Sequence, residues 1–310
     1  MSRTDRSRRP GHPRRPRPDR QGEPARPPLA VRLVLVLAGA WLIWTGVDHA
    51  LTAADSLPER VVHAVRALAV AGLAVPLVIL ARRVLDRRPL TGLGLDRGGG
   101  TSALLGAGLW VGGAALAAVP AALTGLIALG GAAPQCSTML LALYLPVLVL
   151  LLEALPEELI FRGYVYRNLA DALPTGVAVL AQSALFALWA VLLGAAATPD
   201  RVLLFLSFGY TMGMLRVVTG TVWAPIGFHV AFQTCAQYVT VLAGEGTLVL
   251  TSRVAFDVLV TWLVPIAVVG GVLTHLGAAR GLRWRRAPDA EAGQTLEPAR
   301  LSWRRRGERS

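Results

Sequence analysis

Long apolar stretches, separated by short polar or arginine-containing segments, dominate the middle of this chain. A run of about 20 predominantly apolar residues is long enough to cross the hydrocarbon core of a bilayer as a helix. The pattern predicts eight such helices, over residues 32–53, 62–81, 102–129, 138–156, 174–196, 202–219, 222–243 and 254–278. We therefore expect an all-α fold: a polytopic integral membrane bundle of about eight transmembrane helices.

Charge divides the chain into three parts. Residues 1–28 carry nine arginines against three acidic residues, and residues 280–310 carry nine against four, so the two tails hold most of the net charge of +12. We expect residues 1–28 to be a disordered Arg/Pro-rich tail, residues 29–279 a single membrane domain and residues 280–310 a basic tail. Basic segments beside apolar spans usually set topology and contact anionic lipid, so membrane lipids are expected partners and nucleic acid is not.

The connections between the spans predict the orientation. Five arginines lie in the 82–97 loop and two follow the fourth span, whereas the alternate loops carry few. Because arginine-rich loops tend to stay on the cytoplasmic side, both termini, the 82–97 loop and a loop at 157–173 are predicted to be cytoplasmic. A composition of 54% hydrophobic residues argues against a soluble protein of this length and favours a multi-pass protein of the plasma membrane.

The first candidate site is Glu157-Glu158-Leu159-Ile160-Phe161-Arg162-Gly163, directly after the fourth apolar run. Ionisable groups in or beside hydrocarbon are costly, which makes them candidates for function. On a helix, Glu158 and Arg162 can pair at i,i+4, which leaves Glu157 available to take a proton from water. The alternative is that these residues only line an interface at the cytoplasmic end of the span.

The second candidate site lies in the seventh span. His229 and Gln233 are one helical turn apart and share a face. An imidazole and an amide facing inward could donate hydrogen bonds to a developing oxyanion. Alternatively, they form a polar pair that joins helices within the membrane.

Taken together, the two motifs resemble the CPBP family, also called the CAAX-protease and bacteriocin-processing family. Glu-Glu-x-x-Phe-Arg-Gly is followed about 55 residues later by Thr-Gly-x-x-Trp-Ala-Pro-Ile-x-x-His, and the resemblance covers about residues 138–242. It implies an intramembrane endopeptidase that cleaves membrane-associated or lipidated peptides. Carried over by motif, Glu157 is the base that activates water, Glu158 and Arg162 complete its motif, and His229 is the later histidine. Gln233 stands where the family usually has Asn or Asp.

One position departs from the family. The family's middle motif, Phe-x-x-x-His, corresponds here to Phe186 and Ala190, so the histidine that helps to orient the attacking water is absent. Glu153, one turn before Glu157, and His275, near the inner end of the last span, are the substitutes considered. A relative that has lost activity and binds a membrane peptide or partner, in an immunity or chaperone role, is therefore the alternative function. A solute transporter would explain the spans but not the two motifs.

No catalytic metal or other cofactor is predicted. A catalytic zinc site usually has three protein ligands, commonly His and Glu. This sequence offers one histidine deep in a span and no His-Glu-x-x-His motif. The chemistry that the resemblance implies is attack of glutamate-activated water on a peptide bond.

Overall fold

The computed structural model describes residues 26–52, 57–95, 98–129, 133 and 135–282. Eight long helices, α1 to α8, run in this order through Leu29–Thr52, Glu59–Leu85, Gly99–Leu123, Thr138–Ala170, Thr175–Leu192, Pro199–Thr219, Trp223–Gly244 and Arg253–Ala279. A short 3₁₀ helix, Leu90–Leu93, lies between α2 and α3. Two short strands, β1 (Ile127–Leu129) and β2 (Leu248–Leu250), pair antiparallel with Ile127 opposite Leu250.

All eight predicted helices are present, and the predicted fold class, a polytopic helical membrane bundle, is confirmed. Seven of the helices are long and apolar enough to cross a membrane. The helix α7, with 22 residues, is long enough but is not among those seven. It carries His229, Gln233 and Gln237, and these polar side chains lower its apolarity. The predicted tails lie outside the described residues, apart from 26–28 and 280–282.

Two predicted boundaries were wrong. The third helix ends at Leu123 and not near 129, because Gly125 adopts a left-handed backbone conformation with φ of 74° and turns the chain into β1. The fourth helix does not end at 156 but continues to Ala170. The first candidate motif consequently lies inside a helix, and the predicted 157–173 loop is reduced to the short link before Thr175.

The helix α4 is irregular around that motif. Regular α-helix covers Cys136–Val149. It is followed by π-helix over Leu150–Ala154, α-helix over Leu155–Glu158, π-helix over Leu159–Val165 and α-helix over Tyr166–Ala170. Stretches of π-helix inside α-helices occur frequently at functional sites. Here they flank the only regular turn that contains Glu157 and Glu158, so they set the direction in which the two carboxylates point.

Close backbone contact places α7 against α3. A β-carbon on Gly106 of α3 would overlap the carbonyl oxygen of Ala224, and one on Gly227 of α7 would overlap that of Ala103. Small residues that allow this approach are typical of helix interfaces in membranes. The contact lies in the first turns of both helices, and it fixes the part of α7 that carries His229.

A polar network holds α1, α2 and α4 together beyond the end of α2. The carboxylate of Asp86 is fully buried and accepts hydrogen bonds from Arg32, Arg82, Tyr164 and Asn168. Burial by itself would raise the pKa of Asp86, but the hydrogen bonds from Asn168, Arg32 and Arg82 outweigh it, and the pKa lies below its usual value. The network anchors the last turns of α4, and with them the helix segment that carries the first motif.

Candidate functional site

The predicted pair on α4 is present. Arg162 Nη1 lies 3.0 Å from Glu158 Oε1, one turn away on the same helix, and both side chains are completely buried. The i,i+4 pairing inferred from the sequence is therefore confirmed, although the pair lies in the interior of the bundle and not at its rim. Moving two charges out of water costs free energy unless they pair in good geometry. The surrounding helices therefore have to hold Glu158 and Arg162 in this arrangement.

His229 of α7 joins the same carboxylate. Its Nδ1 lies 3.0 Å from Glu158 Oε1, and only 4% of the residue is exposed. The hydrogen bond fixes the ring, since an imidazole held at one nitrogen presents the other in a defined direction. Within the described part of the chain, Nε2 has no hydrogen-bond partner, and Glu158 Oε2 is buried without one. The structure thus brings together two residues that are 71 positions apart in the sequence.

Aromatic rings surround this charged cluster. The Arg162 guanidinium carbon lies 4.5 Å from the centre of the Phe186 ring and 6.0 Å from that of Phe208. Phe208 also meets His229 edge to face, with ring centres 4.9 Å apart. Cations lie favourably over aromatic faces, and these rings exclude water from the charges. The ion pair is therefore enclosed by aromatic rings as well as buried.

Sequence reasoning missed the residues that support Arg162 from α5 and α6. Gln182 Nε2 donates to the carbonyl oxygen of Gly209 at 2.7 Å, and Arg162 Nη2 donates to the same oxygen at 3.4 Å. Gln182 is fully buried, and its amide also contacts Ser183 at 2.8 Å. The available signal was an uncharged polar residue inside an apolar stretch, which in a membrane helix usually marks a hydrogen-bonded contact between helices.

Glu157 differs from its neighbour in its surroundings. It is half-buried, whereas Glu158 is inaccessible, and it interacts electrostatically with His229, Glu153, Glu158 and Arg162. No hydrogen bond or ion pair engages its carboxylate within the described residues. A carboxylate that is unoccupied and still accessible beside a buried ion pair is placed to bind a water molecule.

A row of polar residues continues along α7. Gln233 and Gln237 follow His229 at one-turn intervals and are half-buried. Gln237 Nε2 lies 3.4 Å from Glu153 Oε1 on α4. Gln233 makes no hydrogen bond to any other described residue. The interface of α4 with α7 therefore faces carboxylates on one helix with an imidazole and amides on the other.

Ala190 lies on α5, one turn after Phe186, and is 1% exposed. Its neighbour Trp189 packs between Trp44 and Phe161, with ring centres 5.4 Å and 6.0 Å away. The other candidate substitute, His275, is exposed on α8. Position 190 therefore faces the protein interior but presents only a methyl group.

Across the described ranges, no group of three or more His, Cys, Asp or Glu side chains is arranged to hold a metal ion. The side chains that meet at the site offer two half-buried carboxylates, Glu153 and Glu157, one buried carboxylate with its arginine, and one imidazole with a free nitrogen. This set can deprotonate a water molecule and stabilise an oxyanion.

Comparison with known proteins supports the resemblance read from the motifs. Residues 139–235 match the family model described as type II CAAX prenyl endopeptidase Rce1-like. The matched segment runs from the start of α4 to the middle of α7 and contains Glu157, Glu158, Arg162 and His229. No curated protein and no solved structure matches the chain.

Proposed function

Because residues 139–235 are similar to the type II CAAX prenyl endopeptidases, we propose that this protein is an intramembrane endopeptidase that cleaves membrane-associated or lipidated peptides. The observation that carries the proposal is the contrast between the two adjacent glutamates. Glu158 is fully buried and occupied by Arg162 and His229, whereas Glu157 is accessible and unoccupied. That division of roles suits one structural and one catalytic carboxylate.

In the proposed reaction, Glu157 binds a water molecule and takes one of its protons as the oxygen attacks the peptide carbonyl carbon. The carbonyl oxygen becomes an oxyanion. The C–N bond then breaks, its electron pair goes to the nitrogen, and the nitrogen receives the proton held by Glu157. A positioned general base of this kind usually contributes a factor of about 10²–10⁴ in rate.

His229 and Gln233 are proposed to stabilise the oxyanion. Nδ1 donates to the Glu158 carboxylate and directs Nε2 of His229 away from the ion pair, so Nε2 can donate to the oxyanion when the ring is an imidazolium, the form that the neighbouring carboxylate stabilises. The Gln233 amide lies one turn further along the same helix and can provide a second donor. Donors fixed in a water-poor site are effective because they need no rearrangement as charge develops.

A second function is favoured by one observation. Position 190, where the family's water-orienting histidine is expected, is a buried alanine. A relative without this group could bind a membrane peptide or a membrane partner without cleaving it. The same cluster would then hold a peptide carbonyl as a ligand.

Cleavage of a farnesylated peptide by the purified protein in lipid nanodiscs tests the two functions. We expect the wild type to release the residues after the modified cysteine, and Glu157→Gln to lower kcat by about 10²–10⁴. Glu245→Gln is the matched control, since Glu245 hydrogen-bonds Thr138 at the far end of α4 and α7. Binding of the peptide without cleavage, by the wild type and by Ala190→His alike, would support the binding function and contradict the endopeptidase.

We also propose that the protein lies in the plasma membrane with both termini in the cytoplasm. The proposal is supported by the arginines of the 82–97 loop and of both tails. Membrane lipids and a membrane-associated peptide are then the expected partners.

A further inference from the structure

Glu153 is an acidic residue inside a membrane-spanning helix that no ion pair explains. It lies in the π-helical stretch Leu150–Ala154 of α4, one turn before Glu157, and is half-buried. Within the described part of the chain its one hydrogen bond comes from a neutral amide, Gln237 Nε2, at 3.4 Å. Carboxylates at such positions are costly and usually functional. The pairing with Gln237 fixes the carboxylate without neutralising it.

Glu153 lies one helical turn before Glu157 and faces α7 through its contact with Gln237. It interacts electrostatically with Glu157 and with His229. Glu157 and Glu153 therefore lie on the same side of α4, facing the stretch of α7 that carries His229 and Gln237. A water molecule bound to Glu157 on that side has Glu153 as the second carboxylate nearby.

We propose that Glu153 is a catalytic residue that holds the attacking water together with Glu157, in place of the imidazole that is absent at Ala190. Gln237 is the positioning residue that orients Glu153. This inference rests on the proposed endopeptidase function and adds the second group that holds its nucleophile.

The other polar side chains of the site cannot take this role. Glu158 is completely buried, and its Oε1 already accepts hydrogen bonds from Arg162 and His229, so the carboxylate is not accessible to the attacking water. Gln233 carries no charge and accepts hydrogen bonds less strongly than a carboxylate. Glu153 is the remaining anionic acceptor in electrostatic contact with Glu157.

The proposed step balances as a hydrolysis. One O–H of the water donates to Glu153 while the other proton moves to Glu157, and the oxygen forms its bond to the carbonyl carbon. When the C–N bond breaks, the nitrogen takes its electron pair and the proton from Glu157. The proton on the new carboxyl group leaves to solvent through Glu153. Both glutamates end in the state in which they began.

Steady-state kinetics on the farnesylated peptide in nanodiscs tests the inference. We expect Glu153→Gln to lower kcat by about 10²–10⁴ with little change in KM, as loss of a group that orients the water requires. The second substitution Ala190→His should then restore cleavage to Glu153→Gln, and should restore none to Glu157→Gln. A merely structural Glu153 would not be rescued by a histidine on another helix. Glu245→Gln is the control and should keep the wild-type kcat.

Gln237→Leu provides a variant that keeps the carboxylate and removes only its donor. We expect kcat to fall by about 10–100-fold, the equivalent of one hydrogen bond to a charged group, with an unchanged melting temperature. This variant decides the matter if Glu153→Gln does not fold, because an unchanged kcat in Gln237→Leu then overturns the inference.

Two outcomes separate the inference from the function on which it rests. Wild-type kcat in Glu153→Gln, together with loss of activity in Glu157→Gln, overturns the role of Glu153 and leaves the endopeptidase function intact. Absence of cleavage by the wild type and by Ala190→His overturns both.

Discussion

Arg162→Ala is the most informative test of the buried cluster. The substitution removes the positive partner that lies 3.0 Å from Glu158 and leaves a carboxylate with 0% exposure. Breaking a buried pair in this way costs roughly 3–5 kcal/mol, because the remaining charge is uncompensated. Loss of the contact with Phe186 adds to this, while the hydrogen bond from His229 offsets part of it. The expected fall in the folded-to-unfolded ratio is thus about 100-fold or more.

The assay is equilibrium unfolding in mixed detergent micelles, followed by circular dichroism. Arg253→Ala is the matched control, because Arg253 pairs with Asp257 at the same i,i+4 spacing but is 41% exposed in its side chain. Exposed pairs contribute about 0–1 kcal/mol, so the control should unfold almost as the wild type does.

The double replacement Glu158→Leu with Arg162→Leu removes both charges and should be more stable than Arg162→Ala. If Arg162→Ala and Arg253→Ala lowered stability equally, the reasoning about the buried charge would be refuted.

Three further predictions follow from other parts of the molecule. Gly106→Ala should lower the melting temperature sharply, because the added β-carbon would overlap the Ala224 carbonyl. Gly108→Ala in the same helix is the control, since its β-carbon would meet nothing within 4 Å and the melting temperature should not change. Equal effects of the two substitutions would contradict the α3–α7 packing. The pKa of Asp86 is lower in the folded protein than in the unfolded chain, where it is near 3.8. The stability that its carboxylate gives the folded protein is therefore complete above pH 3.8 and is lost as the pH falls through the folded-state pKa. Thermal unfolding should therefore show Asp86→Asn less stable than the wild type at pH 7, with the difference shrinking below pH 3.8; a constant difference would exclude this linkage. A reporter inserted after Gly246 should behave as external and one fused after Arg286 as cytoplasmic, and a cytoplasmic signal from the first would overturn the proposed orientation.

Apolar run length was enough to locate the helices because the bilayer fixes how long a spanning helix must be. It was not enough to end α4, because the apolar run stops before the charges at 157, 158 and 162, and a loop was predicted from residue 157. In the folded chain Glu158 and Arg162 compensate each other and His229 of another helix joins them, so the helix continues through this motif. The contact with His229 depends on the packing of α7 against α4, which the local sequence does not show.

The pairing of Glu158 with Arg162 was predictable, since it depends only on spacing along one helix. The contact of His229 with Glu158, the support from Gln182 and Gly209, and the contact of Glu153 with Gln237 depend on which helices are neighbours. The sequence marked each polar residue as unusual in an apolar span but did not indicate its partner. No residue pattern predicted the π-helical stretches on either side of Glu157.

Hydrolysis in ¹⁸O-labelled water tests most directly whether Glu157 activates water at this site. The purified protein in nanodiscs is incubated with the farnesylated peptide, and the new carboxyl terminus is weighed by mass spectrometry. We predict one ¹⁸O atom in the product of the wild type, and at least a 100-fold lower rate of label incorporation with Glu157→Gln. Equal incorporation by the wild type and by Glu157→Gln would contradict the assignment of Glu157 as the base.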